Sequence, residues 1–135
     1  MTAWHAGRVT TRVSADSTGS AEAVWALLAQ PARWRQWAPH IRGAVGLGDP
    51  EVVAGRRGFV RVLGVILLPA RIDQVSPGRA WSWTVGPVKL RHEVVAHPGG
   101  SSVIMILDAP AAIEVAYAPL VRLFTRRLAT VAGRG

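Results

Sequence analysis

The chain contains no cysteine among its 135 residues. A disulfide, a thiol nucleophile and a cysteine-ligated metal are therefore all excluded. Long hydrophobic runs are missing as well, because the apolar run at residues 65–70 ("VILLPA") is far too short to span a bilayer. The first twenty residues are polar and lack the apolar region of a secretory signal. These absences predict a soluble, cytoplasmic protein with no integral membrane segment.

Acidic residues are scarce, eight against sixteen basic ones, which gives a formal net charge of +8. A basic balance can indicate a nucleic-acid or anionic-membrane partner. The arginines are scattered, however: only Arg56–Arg57 and Arg126–Arg127 are adjacent, and no nucleic-acid recognition motif accompanies them. We therefore expect no nucleic-acid partner. A basic surface that recruits an acidic partner or a membrane stays open as an alternative.

Motifs for metals, cofactors and covalent catalysis are absent too. The four histidines, His5, His40, His92 and His97, have no metal-ligand spacing. The glycines of residues 46–58 form neither a strand–GxGxxG–helix pattern nor a Walker loop, and no GxSxG serine elbow occurs. The sequence therefore predicts no metal and no cofactor.

Local patterns predict one strand and then two short helices. Residues 8–18 alternate between β-branched and polar side chains, which is typical of a strand. Ser20 suits the N-cap of an amphipathic helix over residues 21–30. Pro31 ends that helix and can open a second short one, which ends at Pro39.

From about residue 41 the hydrophobic period changes to two, with turn residues at regular intervals. In residues 88–96, for example, Leu90 and His92 lie on one face while Lys89 and Arg91 lie on the other. The pattern predicts six antiparallel strands, at roughly 41–47, 56–63, 65–75, 79–85, 88–96 and 102–109.

The end of the chain predicts one long helix. Its apolar residues recur at spacings of three and four: Ile113, Tyr117, Leu120, Phe124, Leu128 and Val131. Pro119 either kinks this helix or begins its main part. We therefore expect a single α+β domain over residues 1–135.

This order of elements, with its motifs, resembles the superfamily that joins START domains, polyketide cyclase/dehydrases and the birch-pollen-allergen-like proteins. The likeness is carried by "SAEAVWALL" (20–28), "RWRQWAPHI" (33–41), Gly55, "VSPGRAWSW" (75–83) and His92. It is most similar to the polyketide cyclase/dehydrase branch. The resemblance implies the helix-grip fold, a curved antiparallel sheet of about seven strands wrapped around a long C-terminal helix.

Three of the six tryptophans, Trp25, Trp34 and Trp37, lie within thirteen residues. The resemblance implies that the two short helices close one end of the sheet. Trp25 and Trp34 are then expected to be packing residues, and Trp37 to approach the mouth of a cavity.

The resemblance also implies an apolar cavity between the sheet and the long helix. Strand parity and helix spacing predict its lining: Trp81, Trp83, Leu90, His92, Val103 and Met105 on the sheet, and Ile113, Tyr117 and Leu120 on the helix. The alternative, that these side chains fill a solid core, stays open.

Three functions follow as hypotheses. The first is binding of a small hydrophobic or aromatic ligand, such as a lipid, polyketide or isoprenoid-like compound. The second is a polyketide cyclase or dehydratase, with His92 as general acid/base and Tyr117 as helper. The third is a non-enzymatic interaction module that uses the basic surface.

Overall fold

A seven-stranded antiparallel sheet forms the body of the fold. The structure, a computed structural model, describes residues 7–134, so His5 lies outside the described residues. The strands are β1 (Arg8–Ser17), β2 (Ile41–Val45), β3 (Arg57–Val62), β4 (Ile66–Ser76), β5 (Ala80–Val85), β6 (Val88–His97) and β7 (Gly100–Pro110). Their order in the sheet is β1-β7-β6-β5-β4-β3-β2, so consecutive strands from β2 to β7 are neighbours and β1 closes the series beside β7.

Two short helices separate β1 from β2. Ser20 caps the N-terminus of helix α1 (Ala21–Ala29). Its side chain accepts a hydrogen bond of 3.0 Å from the backbone N–H of Ala23. The second is a 3₁₀ helix at Pro31–Gln36, with proline at its start. Helices with i→i+3 bonds are common in such short connections.

The long helix α2 (Ala111–Arg134) follows β7 directly. Pro119 lies inside it rather than at its start. The predicted sheet, the two short helices and the long C-terminal helix are thus confirmed. Within residues 7–134, no helix combines the length and the apolar character needed to cross a membrane.

The end of α1 explains where three of the tryptophans lie. The last four carbonyl groups of a helix have no donor within the helix. Here indole N–H groups serve them: Trp37 donates to the Leu27 carbonyl at 2.8 Å, and Trp34 and Trp81 both donate to the Leu28 carbonyl, at 2.8 and 3.0 Å. The tryptophans therefore tie α1 and the 3₁₀ helix to β5.

Helix α2 packs against β1 and β7, and its two halves differ in burial. In the C-terminal half, Ser17 of β1 donates a hydrogen bond of 2.6 Å to the Ala129 carbonyl, and a Cβ added to Gly19 would lie 2.5 Å from the Ala132 carbonyl oxygen. The N-terminal half is less covered, since Ile113 and Tyr117 are only partly buried. The sheet and α2 therefore close tightly at one end and leave space at the other.

Candidate functional site

A cavity of about 620 Å³ occupies the space between the N-terminal half of α2 and the sheet. Pockets that hold small molecules measure about 300–1,000 Å³. Eighteen residues line it, and none of them is Asp, Glu, Lys or Arg. The cavity can therefore hold a small molecule but offers no ion pair to a charged one.

Strand alternation produces the sheet side of the wall. Val60 on β3 lies opposite Leu68 on β4, and Trp83 on β5 lies opposite Leu90 on β6, so each pair projects from the same face. All four residues line the cavity. Ile72, opposite Trp83, shares their face but is fully buried and does not reach the cavity.

The polar groups of the wall are few, and His40 is the most informative. Its ring stacks on Phe124 at 4.6 Å between centroids and meets the edge of Tyr117 at 6.3 Å. Its Nδ1 atom is buried without a hydrogen-bond partner. Burial lowers the pKa of His40, so the imidazole is neutral at pH 7.

Tyr117 and Trp83 supply the other polar groups of the wall. Burial raises the pKa of Tyr117 to about 12, which keeps its phenol protonated. The side chains that line the cavity thus carry few polar groups, and none of them is Asp, Glu, Lys or Arg.

A family model described as polyketide cyclase / dehydrase and lipid transport matches residues 8–134. The chain belongs to this family. No curated protein is significantly similar in sequence.

Solved structures with a similar fold have low sequence identity to this chain. Protein MLL2253 from Mesorhizobium loti superposes with a TM-score of 0.73 at 17% identity, covering 93% of this chain and 98% of that one. Ara h 8.0201 also gives 0.73, at 11% identity and over 96% and 100% of the two chains. An AHSA1-like protein from Aeromonas hydrophila gives 0.65 at 17% identity, over 89% and 92%. These likenesses support the helix-grip fold that the family resemblance predicts.

Half of the residues expected to line the family's cavity lie in the wall. These are Trp83, Leu90, Ile113, Tyr117 and Leu120. They come from β5, β6 and α2, which border the space on opposite sides. Val60, Val62 and Leu68, on the earlier strands, also line it.

The structure places His92 elsewhere, and the expectation that it faces the cavity is corrected. It is fully buried and stacks on Trp81 at 3.9 Å, and Trp34 stacks on the same indole at 5.5 Å. The His92 Nδ1 lies 3.2 Å from the Trp81 carbonyl, and because a carbonyl can only accept, Nδ1 carries the proton. Burial lowers the pKa of His92 to about 3, more than the Trp81 carbonyl raises it.

Four other expected residues are also core residues rather than cavity residues. Trp81 and Trp37 are held by their indole bonds to α1. Val103 and Met105 lie on β7 and are fully buried in the core. The strand face was predicted correctly for Trp81, but the short helices fill this end of the sheet and separate it from the cavity.

Sequence reasoning missed His40 as a cavity residue. It stands between Pro39 and the first residue of β2, outside the periodic segments that predicted the rest of the lining. Its position follows from the backbone, since the His40 carbonyl accepts a hydrogen bond of 2.9 Å from the N–H of Leu63 in the β3–β4 turn. That contact joins two distant segments, and no local pattern in the sequence indicates it.

Proposed function

We propose that this protein binds a neutral, largely apolar small molecule, such as a lipid, polyketide or isoprenoid-like compound, in the cavity between the sheet and α2. The observation that carries the proposal is a wall of eighteen residues with no Asp, Glu, Lys or Arg around about 620 Å³. Moving an ionised group from water into such a space is costly unless it is paired. The wall therefore selects neutral ligands.

The polar groups of the wall define how such a ligand is oriented. His40 and Tyr117 lie together beside Phe124, while most of the wall is aliphatic. A ligand with an oxygen at one end gains a hydrogen bond there and leaves its hydrocarbon part against residues such as Val60 and Leu90. This arrangement favours a molecule with one polar end.

Binding is favoured over the cyclase or dehydratase hypothesis. His92, the residue proposed as general acid/base, lies in the core with a pKa of about 3. A general base works best when its pKa is near the working pH and it reaches the substrate. Tyr117 reaches the cavity, but with a pKa of about 12 it serves as a hydrogen-bond donor rather than as a proton source at pH 7.

A fluorescence titration with phenylnaphthylamine, a neutral apolar dye, tests the proposal. Ala116 lines the cavity and is exposed at its mouth, so Ala116→Trp puts a large ring into the space without disturbing the core. The neighbouring Val115 is exposed and does not line the cavity, so Val115→Trp is the matched control.

We expect the Ala116→Trp protein to bind the dye at least about tenfold more weakly, a loss of about 1.4 kcal/mol. The Val115→Trp protein should bind like the unmodified chain. Equal affinity in all three proteins would show that the dye binds elsewhere and would contradict the proposal.

A further inference from the structure

The turn between β3 and β4 exposes a continuous apolar surface. Its large side chains are open to solvent to an unusual degree: Leu63 (69%), Val65 (84%), Ile66 (44%), Leu67 (61%) and Leu68 (37%). We call residues 63–68 the apolar tip. Single exposed hydrophobic residues are ordinary, whereas a contiguous group of them marks an interaction surface.

The backbone conformation of the apolar tip does not explain why residue 63 is a leucine. Leu63 has a φ of 52° and Gly64 a φ of 82°. Glycine, asparagine and aspartate adopt such angles at low cost, whereas a bulky apolar residue adopts them with strain. A polar residue at position 63 would make a better turn and a more soluble surface. The leucine is therefore better explained by what its side chain contacts than by the turn that it forms.

The charge around the apolar tip indicates the kind of partner. Residues 52–72 contain four arginines and no Asp or Glu. Arg61 lies directly across the hairpin from Leu67, and Arg42 lies on β2 beside Ile41, which pairs with Val62. In the described chain, 7–134, neither Arg42 nor Arg61 forms an ion pair. Apolar side chains flanked by unpaired cations suit an anionic lipid surface.

The apolar tip is continuous with the cavity. Leu63 and Leu68 line the cavity as well as the surface, and on the opposite side of the mouth Leu120 also lines it while 42% exposed. An apolar ligand that enters or leaves between β3–β4 and α2 therefore passes these side chains. The same residues serve as the rim of the cavity and as the exposed surface.

We propose that the apolar tip inserts into the surface of an anionic lipid bilayer, with Arg42 and Arg61 against the headgroups, so that the cavity exchanges its ligand with the membrane. The exchange rests on the proposed function, whereas the docking does not. A second copy of this chain is a poorer occupant. A symmetric pair would bring the same patch of both copies together, and the arginines beside the tip would repel one another.

Vesicle flotation tests the docking. The vesicles contain either phosphatidylcholine alone or equal parts of phosphatidylcholine and phosphatidylglycerol. Val65→Ser removes an exposed apolar side chain from the tip. Val95→Ser is the matched control. Val95 is 50% exposed and lies near the C-terminal end of β6, whereas the apolar tip lies near the opposite end of the sheet, where β6 begins at Val88.

We expect the unmodified protein to float with the anionic vesicles, less so with neutral ones, and to be released by salt. Val65→Ser should weaken vesicle binding about tenfold, as expected for a buried valine side chain, and Val95→Ser should leave it unchanged. Arg61→Gln should weaken binding and reduce its salt dependence.

Three results would overturn the proposal. The first is unmodified protein that stays in solution with both kinds of vesicle. The second is equal binding by the Val65→Ser and Val95→Ser proteins. The third is a dimer that Val65→Ser converts to monomer while vesicle binding is unaffected, which would show that a second copy covers the tip. Phenylnaphthylamine binding without vesicles separates this proposal from the proposed function: if the protein docks but fails to take up the dye, only the cavity assignment fails.

Discussion

Burial of His92 as a neutral residue predicts a specific dependence of stability on pH. Its pKa is about 3 in the folded protein against the ordinary 6.5 of an unfolded chain. Between these values the unfolded chain binds a proton that the folded protein does not. Protonation therefore favours unfolding, and the free energy of unfolding falls as the pH decreases from about 6.5 toward about 3.

The magnitude follows from the two pKa values. Where only the unfolded chain carries the proton, the free energy of unfolding changes by about 1.4 kcal/mol per pH unit. Since the unfolded chain becomes protonated only gradually near its own pKa, the loss between about pH 7 and about pH 5 is about 2 kcal/mol. His40, whose pKa burial also lowers, adds to this loss in the same direction.

Urea unfolding followed by tryptophan fluorescence at the two pH values measures the effect. In His92→Gln the side-chain amide can still donate to the Trp81 carbonyl but does not titrate. This variant should be less stable at about pH 7 because it loses the stacking on Trp81, yet lose about 2 kcal/mol less stability on acidification.

The change in the free energy of unfolding between the two pH values decides the outcome. This change does not depend on the destabilisation that the substitution itself causes at both pH values. Parallel pH profiles of stability for the unmodified chain and His92→Gln would contradict this prediction. They would mean that His92 is protonated to the same extent in the folded and unfolded states, and hence is not held neutral by the core.

Two further predictions concern the cavity and the end of α2. His40→Phe keeps a ring against Phe124 and removes the unpartnered Nδ1. Thermal unfolding should therefore show that the variant is more stable by about 1–3 kcal/mol, while its affinity for an apolar ketone falls. A variant that is less stable than the unmodified chain would contradict this. Gly19→Ala places a Cβ 2.5 Å from the Ala132 carbonyl oxygen and should destabilise the protein by about 1–3 kcal/mol in urea unfolding. Gly43→Ala, where the nearest atom is the Arg61 side chain at 3.7 Å, is its control, and equal effects of the two would refute the close contact.

Much of the fold could be predicted because its elements leave local signals. The period-two alternation in β6 placed Leu90 on the correct face, and Ser20 marked the start of α1. The limit of such reasoning appears at Trp81 and Trp83. Both lie on the predicted face of β5, yet Trp81 stacks with Trp34 and His92 in the core, while Trp83, which meets Trp34 edge-on, reaches the cavity.

The division between core and cavity depends on long-range packing. Strand parity identifies one face of the sheet. Which end of that face the short helices cover depends on long-range contacts, such as the hydrogen bond from the Trp81 indole to the Leu28 carbonyl. His40 is the complementary case. It lies outside any periodic segment, and its place in the wall follows from a backbone hydrogen bond to Leu63 in a turn 23 residues further along the chain.

Native mass spectrometry of the protein purified from the cells that naturally produce it tests whether the cavity holds a ligand. Organic extraction and identification of what is released then give the ligand's chemistry. We expect a neutral, largely apolar compound with one polar end, bound one per chain and absent from the Ala116→Trp protein prepared in the same way. A chain that is empty, together with no uptake of apolar compounds offered to it, would contradict the claim. So would a charged, polar ligand that Ala116→Trp retains.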